Sequence, residues 1–197
     1  MNILSDNLHS AHCRACKQRV HEMLSRLYGD CRVHWAFSWP SGPETYSNEL
    51  IGSALKQIYE ALTEYRGHRE FIKSAVVPPC DYYIADPPFI LEFDESQHFS
   101  RARLIALNHY PANLPLGFSL PRWQELCREI DAQDDDPVDR DERRAWYDTL
   151  RDLAPLAHGF KPTVRIYAED FVWCSLAPNT VRGPEDFSRF LGARLPR

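Results

Sequence analysis

DYYIADPPFILEFDESQH, residues 81–98, holds two β-prone apolar runs separated by Ala85-Asp86-Pro87-Pro88, a turn signal, and so predicts a β-hairpin. With Asp86 and Pro87 as a two-residue loop, Ala85 faces Pro88 and Asp81 falls opposite Glu92. Side chains alternate along a strand, so Asp81, Glu92 and Asp94 share one face. Tyr82, Ile84, Phe89, Leu91 and Phe93 share the other, which makes a core surface. Three carboxylates on one side of a half-buried hairpin repel each other and lose hydration unless something neutralises them. Two solutions are open at this level. One is a hard divalent cation, Mg²⁺ or Mn²⁺, which prefers oxygen ligands. The other is a solvated face paired with some of the 19 arginines. A register slip would change the cross-strand pairs, but Glu92 and Asp94 keep one face regardless.

The hairpin sits between helical patterns. Residues 46–66, YSNELIGSALKQIYEALTEYR, set Leu50, Ile51, Ala54, Leu55, Ile58, Ala61, Leu62 and Tyr65 at helical spacing, with Ser47 as N-cap and Gly67 as stop. Glu49 stands in the first turn of that helix, where the helix dipole favours an acid whatever its role. Downstream, residues 100–109 predict a short helix ended by Pro111, with Arg101 and Arg103 leaving its first turn. A Pro-rich loop follows at 111–121, then helices at 121–131 and 138–157, split by Asp134-Asp135-Asp136-Pro137. The charges of the second are mixed i,i+3 and i,i+4 neighbours, the pattern of a solvated face. Strands are predicted at 163–168 and 171–176, then a short helix at 185–191. Periodicity alone gives a mixed α/β or α+β class.

An Asp on one strand, then an acidic residue, a spacer and a further polar residue on the next, resembles the PD-(D/E)XK nuclease superfamily. More narrowly, Asp81-Tyr82-Tyr83 and Ile90-Leu91-Glu92-Phe93-Asp94, with Gln97-His98, resemble the very-short-patch-repair endonuclease branch. The likeness spans residues 49–103. The chain departs from the pattern where the family's lysine is Asp94 and where the family's glycine after that Asp is Glu95. The resemblance implies an α/β (α+β) fold: a restriction-endonuclease-like αβββαβ core, its mixed sheet flanked by helices, with a helical insertion at about 100–157. It implies a nuclease domain over 46–197 and a metal-dependent hydrolase acting on DNA phosphodiester bonds, with RNA as the alternative substrate and a homodimer allowed. Glu49, Asp81, Glu92 and Asp94 would hold Mg²⁺ or Mn²⁺; Asp81, Glu92, Asp94, Gln97 and His98 would make up the catalytic set; Arg101 and Arg103 would contact phosphate. Restriction, repair or phage defence follows only from the company such folds keep. The alternative is a nuclease-like scaffold that has lost catalysis with its lysine and binds nucleic acid or protein.

Residues 1–45 read as an N-terminal helix ending near Gly29 and an aromatic loop, HWAFSWPSGPETY, whose Trp35 and Trp39 offer a stacking surface or fold back onto the core. Cys13 and Cys16 supply half of a tetrahedral zinc site, which His9, His12, His21 or Cys31 would complete. Reduced, ordinary cysteines on a helix are the competing reading, and Cys80 is expected as a small buried hydrophobe. At 197 residues and 44% apolar the chain is long enough for a real core, and no stretch has the length and purity of a membrane span. The start lacks a secretory pattern, so a cytoplasmic, bacterial protein is expected. A net charge of −5 neither supports nor excludes DNA, because the acid concentrates in Asp131–Glu142 and leaves a more basic region near the hairpin.

Overall fold

The computed structural model describes residues 13–195. The hairpin forms in the expected register: Tyr82 faces Leu91 and Ala85 faces Pro88 across Asp86-Pro87. Its two strands are the centre of a four-stranded sheet of β1 (Cys31–Trp35), β2 (Cys80–Ala85), β3 (Pro88–Asp94) and β4 (Val164–Tyr167), in that order. The first three run as antiparallel neighbours, whereas β4 lies parallel to β3. A parallel pair needs a crossover. Here α3 (Arg101–Asn108), α4 (Leu120–Ile130) and α5 (Arg140–Ala157) carry the chain between the two strands. The described helices also include α1 (Arg14–Tyr28), α2 (Glu49–Arg66) and α6 (Arg182–Gly192). Residues before and after position 46 therefore contribute to one sheet. None of the described helices is long and apolar enough to cross a membrane.

Both faces of the hairpin are covered, so β3 is buried on nearly every residue. Tyr82, Ile84, Phe89, Leu91 and Phe93 form the apolar face as expected. Tyr82 donates its hydroxyl to the Lys17 carbonyl of α1, Phe89 meets the Tyr28 ring edge-on, and Phe93 meets Trp173. On the opposite face Glu92 meets Arg151 of α5, and Asp94 meets Arg165 of β4 and Trp123 of α4.

Four local expectations change. β1 falls inside the segment read as helix and loop; it is an edge strand with three exposed residues, and backbone pairing to β2 rather than a hydrophobic pattern makes it. Within it His34 adopts φ +50°, a left-handed conformation that interrupts the alternation and lets Trp35 stack on Tyr83. Trp39, by contrast, folds into the core. The expected strand at 171–176 is a 3-10 turn, Trp173–Ser175: the chain bends after β4, where the Asp170 N–H and the Trp173 indole both donate to the Tyr167 carbonyl, and a single buried Trp takes the apolar content. Asn48 rather than Ser47 caps α2, accepting from the Ile51 N–H at 3.1 Å, while Gly67 ends that helix in the left-handed conformation as expected.

The fourth change matters most. The solvated face expected on α5 is buried: Asp141, Glu142, Asp148, Arg151 and Asp152 all lie in the interior. Several of their partners come from β3, β4 and α3, which local spacing cannot show.

Close packing between the loop after α3 and β4 gives one direct test. Gly117 bridges Val164, and a Cβ there would lie 2.5 Å from the Thr163 carbonyl oxygen and 3.1 Å from the Val164 Cα. Both are backbone atoms that cannot swing away. Gly117→Ala should lower unfolding stability by about 1–3 kcal/mol, read as a lower urea midpoint at unchanged slope.

Candidate functional site

Asp81 and Glu92 face each other across the hairpin, and each carboxylate accepts from the other strand's backbone. The Asp81 N–H donates to Glu92 Oε1 at 3.2 Å and the Phe93 N–H donates to Asp81 Oδ2 at 2.9 Å. Asp81 is partly open to solvent, whereas Glu92 is buried. Arg151 Nε lies 3.1 Å from Glu92 Oε2, but it is a buried donor that makes no well-directed hydrogen bond. Burial therefore dominates at Glu92: despite Arg151, and helped by the nearby negative Asp81, its pKa is pushed up to about 8.

Asp94 is differently placed. Its Oδ1 accepts from Arg165 Nη1 at 2.6 Å and its Oδ2 accepts from the Trp123 indole at 2.8 Å. Both oxygens are thus engaged by the protein. Arg165 continues to Asp152 Oδ1 at 2.7 Å and to the Asp148 carbonyl at 3.0 Å. Arg103 donates to Asp152 Oδ2 at 2.6 Å and also reaches Tyr110 and Thr149. Arg151 donates to Asp148 Oδ1 at 2.7 Å, and His98 Nδ1 lies 2.9 Å from Asp148 Oδ2. Glu92, Asp94, Asp148 and Asp152 are therefore interleaved with Arg103, Arg151, Arg165 and His98 in one buried network.

The network tunes its members. Burial alone would lower His98, but Asp148 and then Asp94 overcome it, so the imidazole pKa is raised. Burial would raise Asp148, yet His98, Arg165 and Arg151 hold it well below the ordinary carboxylate range. His98 is thus joined to the acidic face through Asp148 on α5, a partner with no local sequence signal.

The remaining expected residues divide. Arg103 is buried at 2% exposure, with its guanidinium engaged by Asp152. Arg101, two residues earlier and so on the other side of α3, is exposed. Gln97 donates its amide to Glu95 and its carbonyl accepts from Arg144, at the strand end. Glu49 is exposed at the start of α2. Among the described residues, the one set of three or more His, Cys, Asp or Glu whose ligand atoms lie within 4.8 Å of one another is Cys13, Cys16 and Cys174. Glu49, Asp81, Glu92 and Asp94 do not converge as a four-carboxylate set. Nor do His21 and Cys31 join Cys13 and Cys16; His21 Nε2 lies 3.2 Å from the Cys31 carbonyl and its ring stacks on Tyr82. His9 and His12 fall outside the described residues.

Beside the exposed edge of Asp81 is a cavity of about 190 Å³ whose walls include Arg14, Lys17 and His21 of α1 and His34 of β1. The cationic side chains at this opening come from the N-terminal segment, not from the arginines after the hairpin. Nothing in the sequence places α1 against the start of β2. Comparison of the chain with family models, curated proteins and solved structures gives no match.

Proposed function

We propose that this chain is a metal-dependent nuclease of the PD-(D/E)XK type acting on DNA, with Asp81 and Glu92 as its working carboxylates. The observation that carries the reading is their cross-strand pairing beside a cavity lined by Arg14, Lys17, His21 and His34. Element order agrees with it: a helix, an antiparallel three-strand run, a helical crossover and a parallel fourth strand correspond to αβββαβ, with α2 inserted between the first two strands.

Asp81 and Glu92 offer the oxygen donors that a single Mg²⁺ or Mn²⁺ prefers. Mg²⁺ commonly keeps several waters and takes one or two carboxylates together with substrate phosphate oxygens. Asp94, with both oxygens taken by Arg165 and Trp123, is left out of this set and acts as a structural anchor. When bound, the ion would lower the pKa of an attacking water and offset charge on the leaving oxygen. The chain's own residues do the rest. Arg14 and Lys17 hold the phosphodiester, the Asp81–Glu92 clasp fixes both carboxylates to the strand backbones, and Arg151 supplies the positive charge nearest Glu92.

The scaffold reading is favoured by one observation, the pairing of Asp94 and its neighbour Asp152 with the buried guanidinium of Arg165. Cleavage of mixed single-stranded, duplex and branched DNA in Mg²⁺, wild type against Asp81→Asn, separates the two. The nuclease reading expects a loss of at least about 100-fold. DNA binding with no metal-dependent cleavage in either protein would leave the scaffold.

The cleft makes its own prediction. Arg14→Ala and Lys17→Ala should each weaken DNA binding across sequences and flatten the salt dependence by about one unit of log–log slope. Fluorescence anisotropy over a salt series reads both. An unchanged slope in the double variant would remove this cavity from the interface.

A further inference from the structure

We propose that Cys13, Cys16 and Cys174 form a thiolate site for one zinc ion, which fastens the start of α1 to the Trp173–Ser175 turn. The three Sγ atoms lie within 4.8 Å of one another, although Cys174 is far from the other two in sequence. Tetrahedral zinc with bonds of about 2.3 Å places its sulfurs just under about 4 Å apart, so only a small inward movement closes the set. The local structure already favours this arrangement. Cys13 is the residue before α1 and Cys16 completes its first turn, with the Cys16 N–H donating to the Cys13 carbonyl at 3.0 Å. A Cys-x-x-Cys pair across a helix start presents both sulfurs to one side. Cys16 is buried, while Cys13 and Cys174 are half-buried, so the site is enclosed on the protein side.

Ligand chemistry selects the metal. Three thiolates suit zinc and disfavour Mg²⁺ or Ca²⁺, which take oxygen donors. Water or a small exogenous ligand can fill a fourth position. The position in the fold gives the ion a structural role. Cys174 belongs to the turn whose Trp173 lies in the core against Phe93 and Phe190, and α1 brings Arg14 and Lys17 to the cleft beside Asp81. Fixing α1 against this turn therefore fixes the helix that carries those cations. The site does not depend on the nuclease reading and would stand if that reading failed.

Metal content of the full chain, purified under reducing conditions without chelator, tests the proposal. About one zinc per chain is expected by plasma emission, falling to near zero in Cys13→Ser and in Cys174→Ser. Cys31→Ser and Cys80→Ser should retain it. Because the serine variants can fail to fold, Co²⁺ reconstitution of the wild-type chain provides a second reading: an intense thiolate-to-cobalt charge-transfer band is expected, and excess Zn²⁺ should remove it. Wild-type chain that holds no zinc and gives no such band would overturn the site. So would zinc retained undiminished in Cys174→Ser, which would leave Cys174 outside the coordination sphere.

Discussion

Arg165→Met is expected to cost about 3–5 kcal/mol of folding stability, because it leaves carboxylates buried without their cation. Arg165 is 1% exposed and serves three acids: Nη1 to Asp94, Nε to Asp152, and Nη2 to the Asp148 carbonyl, with the Asp148 carboxylate 3.6 Å away. The network as a whole need not be more stabilising than a well-packed apolar replacement, since desolvation offsets much of the Coulomb gain. Removing one partner is different, for the penalty of the remaining charges is then uncompensated. Arg165→Lys should recover only part of the loss, since a lysine cannot present the planar fork that reaches several acceptors at once. Asp94→Asn in the Arg165→Met background should recover part as well by removing one of the stranded charges, a coupling that a double-mutant cycle reads directly. Urea denaturation at neutral pH measures all three. A cost below about 1 kcal/mol for Arg165→Met would mean that water reaches the network and the burial argument fails. Acid gives a companion check. Asp148 is held well below its ordinary value, so its contribution is present above the unfolded carboxylate pKa and is lost as pH falls through the folded value.

That network marks the boundary of what the sequence could show. The hairpin was legible because turn chemistry and alternation are local: Asp86-Pro87 fixed the loop, and a period of two fixed which residues pair across it. The helices were legible for the same reason, with caps and stops within a turn or two of their assigned ends. The identity of the neutralising charge was not local. Charge balance required a partner for three carboxylates, and both a metal and the arginines satisfied it. The arginines that answer most of it, Arg151 and Arg165, lie on α5 and β4, and nothing in the spacing of residues 138–157 distinguishes a helix laced with surface ion pairs from one whose charges are met by another element. The burial of Arg103 was not legible for the same reason: its partner, Asp152, is on α5. β1 was missed because an edge strand is made by its neighbour's backbone, and Cys174 because the contact joining it to Cys13 and Cys16 spans most of the chain.

Glu92→Gln should uncouple stability from catalysis, raising the first at alkaline pH and abolishing the second. The folded-state pKa of Glu92 is about 8 against an ordinary 4.5, so between those values the folded chain holds a proton that the unfolded chain has released. Folded protein thus binds more protons across this window, and stability falls as pH rises through it, by an order-of-magnitude ceiling of about 5 kcal/mol at pH 8 and above. Glutamine keeps the shape and removes the charge. In chelator at pH 8 the variant should therefore be more stable than wild type by roughly 1–4 kcal/mol, allowing for relaxation around Arg151, with the difference vanishing near pH 4.5. Some slope will remain, since His98 is raised too: its contribution is fully present below its unfolded pKa and is lost as pH rises through the folded one. A divalent cation reverses the balance at Glu92, because it favours the carboxylate. Mg²⁺ binding by the wild type near neutral pH should then release protons, seen as a calorimetric heat that varies with the ionisation enthalpy of the buffer, and Glu92→Gln should bind weakly without that release. A variant that gains stability at pH 8 and loses cleavage would show a charge kept in the core at a cost to folding because the chemistry uses it. A variant that gains stability and cleaves like wild type would remove Glu92 from the site, and with it the carboxylate pair on which the nuclease reading rests.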